Sequence, residues 1–293
     1  MCSWVGPGFG NFLSVYFHSM LEHFSKSPHS PFNFEHYMNT SLIDKSKMKK
    51  IKNIKNLYIQ QFLPSSISNC PLNINKSEQI IKNLNIPDIR YMDFHKCSDG
   101  ILDNLHIIKP MFKQALDFYY SKFNIQPFIF NKNDVVIHFR TGDILHTNHP
   151  EYPCVHFHNY KTILNNKSIH NIYIIWKSER ILDNSFPQRN TAVIDSLVHY
   201  LEKNVSISGK IIHTPHIYDD DFLFLVQAPT LITSVSTFSL WAALMNEGKS
   251  YVPQCLLHFN HRIFSNNNIN VYPMKLVFIQ SKTISKMCND LFY

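Results

Sequence analysis

Glycine is scarce in this chain, 7 residues of 293. Neither GxGxxG nor GxxxxGK[ST] occurs, which excludes a dinucleotide fingerprint and a P-loop. Cysteine is present but unorganised. The six cysteines at 2, 70, 97, 154, 255 and 288 form no CxxC pair, and no Cys/His spacing matches a zinc site. Scattered thiols of this kind point to a reducing, cytosol-like compartment, although an even count leaves bridges open. No recognition-helix, RNA-binding-sheet or zinc-finger signature is present, so nucleic acid is not an expected partner. The opening MCSWVGPGFGN has neither a basic n-region nor a long apolar h-region and predicts no secretory signal. One uncharged run, Phe222–Met245, has 24 residues and could span a bilayer by length. It contains Gln227, Pro229 and six Ser/Thr hydroxyls, and it predicts a buried helix, strand and helix instead of a transmembrane segment.

What is there starts with bulk. A hydrophobic fraction of 44% is ample for a packed core, and 293 residues fit one large domain or two modest ones. The net charge of +7 is partly local, gathered in KSKMKKIKNIK at 45–55, which reads as a solvated segment. The centre of the chain is DVVIHFRTGD at 134–143. Val135, Val136 and Ile137 predict a buried strand, which ends in His138, Arg140, Thr141, Gly142 and Asp143. A strand that stops at such a cluster places a cation at the carboxyl edge of a sheet, where open α/β folds bind ligands. Arg140 offers a fork of donors suited to phosphate oxygens, and Gly142 allows a turn with φ > 0.

At the start of the chain, WVGPGFGN at 4–11 predicts a glycine-rich loop opening an amphipathic helix over 12–24. Such a loop brings backbone N–H groups close to a ligand. A helix is expected over 101–123, bending at Pro110, with a domain boundary near 124–133, so the domains are 1–130 and 131–293. Beyond the central strand, alternation continues. Strands are expected at 171–176, 210–213, 230–235, 251–253 and 275–279, helices at 159–164, 191–204, 221–227, 239–247 and 284–291. Asp219, Asp220 and Asp221 read as the cap of the 221–227 helix, and the asparagines at 266–270 as exposed loop. Four histidines and a glutamate at 146–158 lack HExxH spacing and fall in a proline-broken loop, so no metal site is expected. The alternation predicts an α/β class with a parallel, doubly wound sheet in the C-terminal half. The turn Ser236–Ser239 before the last internal helix makes a second anion seat. Two anion seats at strand ends make a nucleoside diphosphate the natural ligand.

Three separated motifs carry a family resemblance: GFGN at 8–11, HFRTGD at 138–143, and DDFLFLVQAPTLITSVSTFSLWAAL at 220–244, whose STFSLWAA fits S-[ST]-F-S-x-W-[AG]-A. In that order they resemble the α-1,2-fucosyltransferase family. More distantly the chain is similar to the α-1,6- and protein O-fucosyltransferases. The resemblance implies a GT-B-like fold of two Rossmann-like domains. It implies metal-independent transfer of fucose from GDP-fucose to a glycan hydroxyl with inversion, and no further cofactor. Arg140 would bind the diphosphate and stabilise the leaving GDP, His138 would sit by the nucleotide, and Asp143 would fix the loop. Ser236, Thr237 and Ser239 would donate to phosphate, and Gly8, Gly10 and Asn11 would approach the diphosphate–sugar from the first domain.

Two departures bear on this. The family carries a second basic residue after the motif arginine, where this chain has Thr141. Its middle F-S-D-D segment stands here as Ile174–Glu179, IIWKSE. Eukaryotic members carry a membrane anchor, and the absence of one predicts a cytoplasmic enzyme, with peripheral membrane association left open. Inverting transfer calls for a base that deprotonates the acceptor hydroxyl. Asp143, His149 and Glu151 follow the turn, and Glu151 is the expected base. The alternative is that leaving-group stabilisation by Arg140 suffices without one. Two other functions stand beside the first: the same scaffold with another sugar nucleotide, and a catalytically silent glycan- or nucleotide-binding protein.

Overall fold

The computed structural model describes residues 9–33, 71, 81, 103–124, 126–145, 153–176, 186–215, 218–254, 268–277 and 283–292. The chain divides into two compact units, Met1–Pro127 and Phe128–Tyr293.

In the first unit, helix α1 (Phe9–Lys26) buries Leu13, Tyr16, Phe17, Met20, Leu21 and Phe24, a stripe at helical spacing. Helix α2 (Leu105–Phe123) meets it through Phe17 and Phe112, edge to face at 6.0 Å between ring centroids. It ends at Asn124, whose φ of 52° and N–H to Tyr120 O form a left-handed cap. Gly10 and Asn11, expected in a loop, lie in the first turn of α1. A glycine in a helix costs about 1 kcal/mol relative to alanine, less than one buried aromatic returns.

The second unit holds β1 (Val135–His138), a 3-10 turn (Gly142–Leu145), β2 (Cys154–Val155), α3 (Phe157–Leu164), β3 (Ile172–Trp176) and α4 (Phe186–Asn204). Then follow β4 (Ile211–Pro215), α5 (Tyr218–Val226), β5 (Thr230–Ile232), α6 (Thr237–Met245), β6 (Lys249–Pro253), β7 (Ile269–Tyr272), β8 (Leu276–Val277) and α7 (Ile284–Phe292). Six of these strands form one sheet in the order β4-β3-β1-β5-β6-β7, every pair parallel. Counted along the chain, that order is 3-2-1-4-5-6, the doubly wound arrangement of a Rossmann-like unit. The order reverses between β1 and β5. The strand β2 pairs antiparallel with β8 in a separate ribbon.

The pleat sorts the side chains. Val135, Ile137, Ile172, Ile174 and Trp176 share one core with α3, α4 and α7, through Tyr160, Ile163, Val193, Leu197 and Leu201, Met287 and Leu291. On the other face, Tyr173 packs with Phe130 at 5.7 Å and Phe224 at 5.4 Å, and Phe130 and Phe224 meet at 4.7 Å. Register is pinned at the amino edge. Buried Asp134 accepts the amide N–H of Asn131 (2.8 Å) and of Asn171 (3.0 Å), together with the Asn171 side-chain amide (3.2 Å). The Asn171 oxygen in turn accepts the N–H of Lys210 at 3.0 Å. These bonds align the starts of β1, β3 and β4, and so set the level at which their carboxyl ends emerge.

Several expectations need correction. The helix expected at 191–204 begins five residues earlier, at Phe186, and α5 begins at Tyr218, so the three aspartates occupy its first turn instead of capping it. Asn270, expected in an exposed loop, lies in β7, where Ile269 is 5% exposed; Ile269 and Val271 alternate with the asparagines and supply the apolar side. The strand expected at 275–279 is the short β8, outside the main sheet. Among the described residues, no helix is long and apolar enough to cross a membrane.

Candidate functional site at the sheet switch point

The carboxyl ends of β1 and β5 lie side by side, since Val135, Val136 and Ile137 pair with Thr230, Leu231 and Ile232. Ligands of open α/β sheets sit outside the carboxyl ends where the strand order reverses. The two sequence motifs meet there. His138, the last residue of β1, places Nδ1 2.8 Å from Ser234 Oγ, and its ring centroid lies 5.5 Å from that of Phe238. Arg140 donates from Nη1 to the carbonyl of Val235 at 3.1 Å. This guanidinium N–H ties the β1 turn to the β5–α6 loop.

That loop is shaped from beneath. The hydroxyl of Thr233 donates to Tyr251 O at 3.3 Å, beside the N–H of the same residue at 2.9 Å. Ser239 is fully buried and its hydroxyl donates to the carbonyls of Ser234 and Ser236, each at 3.4 Å. Ser236 occupies the N-cap position of α6 in an extended conformation, with no side-chain capping bond. The first N–H groups of a helix have no partner within it, and there they face the loop with the positive end of the helix dipole. Phe222 packs edge to face on Phe238 at 5.6 Å and carries α5 against this terminus.

On the β1 side, the chain turns at Gly142, with φ of +78°, into the 3-10 turn. The Gly142 N–H donates at 3.3 Å to Oδ1 of Asn190, a residue of α4 with no solvent exposure. Thr141 is 3% exposed.

The electrostatics follow from burial and from Arg140. Burial pushes His138 down to about 3, with the Arg140 charge lowering it further in the same sense, so its imidazole is neutral at pH 7. Burial raises the Cys154 thiol to about 12 against an opposing pull from Arg140. Burial also raises Tyr160 well above 10.0, with Cys154 adding to it. Among the described residues, with His138 neutral, Arg140 and the α6 terminus bring positive charge to this edge. A guanidinium and a helix N-terminus placed together can hold a phosphate or another oxyanion.

The expected residues distribute as follows. His138, Arg140, Ser236, Thr237 and Ser239 come together at the switch point. Asp143 lies in the 3-10 turn, its side chain outside what the structure describes, and Gly8 and Glu151 lie outside the described residues. Gly10 and Asn11 belong to the first unit. Two residues escaped the sequence. Ser234 is hidden inside a run read as buried strand, and Asn190 precedes the helix as expected. A polar residue flanked by apolar neighbours is the signal either could have given, and it is weak. Among the described residues, no group of three or more His, Cys, Asp or Glu is placed to hold a metal ion.

In comparisons with known proteins, the chain matches no family model, no curated protein and no solved structure.

Proposed function

We propose that the second unit binds a nucleoside diphosphate sugar across the ends of β1 and β5, and that the chain transfers the sugar to a glycan hydroxyl with inversion. The donor is GDP-fucose and the fold is GT-B-like, as the three motifs suggest. The observation that carries the proposal is the Arg140–Val235 bond. It draws the one cation of HFRTGD and the helix terminus of STFSLWAA to a single edge, at the switch point. In the proposed complex, Arg140 binds the diphosphate from the turn that follows β1. Ser236 and Thr237 donate from the start of α6, while Ser239 holds the loop in shape.

As the sugar–oxygen bond breaks, negative charge grows on the departing diphosphate. A preorganised guanidinium and helix terminus stabilise that charge more than the ground state, which is what lowers a barrier. His138, neutral and bonded to Ser234, contributes no charge and serves as a wall beside the nucleotide. Glu151 is the proposed base toward the acceptor. The reaction needs no metal in this scheme, because Arg140 and α6 do the work of charge neutralisation. The reduced thiols the sequence suggests fit a cytoplasmic setting.

Thr141 favours a second reading. It stands where the resemblance calls for a second basic residue, and it is buried. A seat with one guanidinium suits another sugar nucleotide equally, and the silent binding protein shares the seat but lacks turnover.

The test is calorimetry and thermal shift with GDP, UDP, CMP, GDP-fucose and GDP-mannose, first without metal and then with magnesium. Metal-free stabilisation by GDP and GDP-fucose, weakened but still measurable in Arg140→Ala, is the expected result. Stabilisation by UDP alone would replace the donor, and stabilisation by none of the five would overturn the proposal. Donor hydrolysis separates an enzyme from a silent binder.

A further inference from the structure

We infer that Asn190 is a positioning residue for the phosphate seat, acting through the turn that follows Arg140. The inference rests on the proposed function above and adds to it a residue far along the chain.

Asn190 lies within α4 with no solvent exposure. A buried side-chain amide is costly unless it is hydrogen-bonded, and a helix interior has no need of one. Its Oδ1 accepts the backbone N–H of Gly142 at 3.3 Å. Gly142 is the one described glycine with positive φ, at +78°, a conformation that side chains rarely adopt. The bond therefore holds the backbone at the point where it must leave the strand direction.

Arg140 sits two residues before that point. Two restraints bear on it: the guanidinium bond to Val235 O at one end, and the turn held by Asn190 at the other. Thr141, buried between them, leaves little room for the segment to swing. Loss of the Asn190 acceptor would leave a buried N–H unsatisfied and loosen the turn that follows Arg140. Preorganisation of the guanidinium is what the seat relies on, so the loss should be felt in anion affinity as well as in stability.

The experiment is a double-mutant cycle read as GDP affinity by calorimetry, with Asn190→Leu and Arg140→Ala. Leucine is close to asparagine in shape and removes the acceptor, and thermal unfolding checks that the variant folds. The expected result is GDP binding five- to thirty-fold weaker in N190L, with no further loss when N190L is added to R140A. Equal losses in both backgrounds would mean a general structural role, and would overturn the inference. So would an unchanged GDP affinity in N190L. If N190L fails to fold, Asn190→Ser, shorter and still polar, takes its place in the same cycle. The two claims fail separately. Weak binding in R140A with normal binding in N190L ends the role of Asn190 alone, whereas normal binding in R140A ends the phosphate seat and this inference with it.

Discussion

At the scale of single residues, charge placement decides behaviour. Tyr251 is the clearest case outside the switch point. Its hydroxyl accepts a hydrogen bond from Lys167 Nζ at 2.8 Å, and the Lys167 and Lys249 ammonium groups lie 4.2 and 5.4 Å from its ring centroid. Burial alone would raise the phenol, but the hydrogen bonds and charges of the two lysines outweigh it and pull it below 10.0. Tyr251 should therefore ionise earlier than an ordinary tyrosine. In an ultraviolet absorbance titration of the folded protein, Tyr251→Phe should remove one phenolate that appears below pH 10. An identical curve for variant and parent would refute the assignment.

At the scale of elements, backbone carbonyls at helix ends set the demand. Asn246, fully buried just past α6, donates from Nδ2 to Leu225 O (3.1 Å), Val226 O (2.8 Å) and Ala228 O (2.8 Å). One side chain thus closes the carboxyl end of α5, whose last carbonyls have no intrahelical donor. Asn246→Ala should cost about 1–3 kcal/mol in urea unfolding, the penalty for stranded buried acceptors. Asn246→Asp should cost more, because a buried carboxylate would set negative charge against the same carbonyl oxygens. If the aspartate variant is the more stable of the two, this account of the helix end is wrong. Two residues on, a Cβ at Gly248 would stand 2.4 Å from Ala228 O and 2.5 Å from Pro229 O, both rigid backbone. Gly248→Ala should destabilise by about 1–3 kcal/mol, as overpacking does, with a lower urea midpoint and an unchanged slope.

At the scale of the whole molecule, the two units share a sensitivity to acid. His18, on α1, is pushed down to about 4, chiefly by burial, with Glu22 opposing and Lys26 assisting. His138 in the second unit is pushed down to about 3. A folded pKa below the unfolded value near 6.5 means that the unfolded chain takes up the proton first. The stability owed to each neutral histidine is complete above that value. It is lost as pH falls, toward 4 for His18 and toward 3 for His138, at up to about 1.4 kcal/mol per pH unit each. The melting temperature should drop progressively below pH 6.5, and His18→Leu should flatten part of that slope. A melting temperature constant from pH 7 to 4.5 would contradict both assignments.

Much of the second unit was legible in the primary sequence, for a physical reason. Strands buried on both faces require continuous β-branched runs, and VVI, IYII and TLI supply them at spacings that leave room for helices, so the parallel α/β class follows from local composition. The switch-point turns were legible too, because a cation, a positive-φ glycine and clustered hydroxyls are short-range features. The strand β7 was not, since its two apolar residues are diluted by asparagine and only pairing with β6 makes them a strand. Nor was the order of the strands. Local pattern says that a segment is a strand, while tertiary packing alone says which strand lies beside it. That β1 neighbours β5, so that Arg140 reaches Val235 and His138 reaches Ser234 across nearly a hundred residues, is a result of packing. Asn190 belongs with these. Its residue type was visible, but its partner, the N–H of Gly142, exists only once α4 lies against the turn.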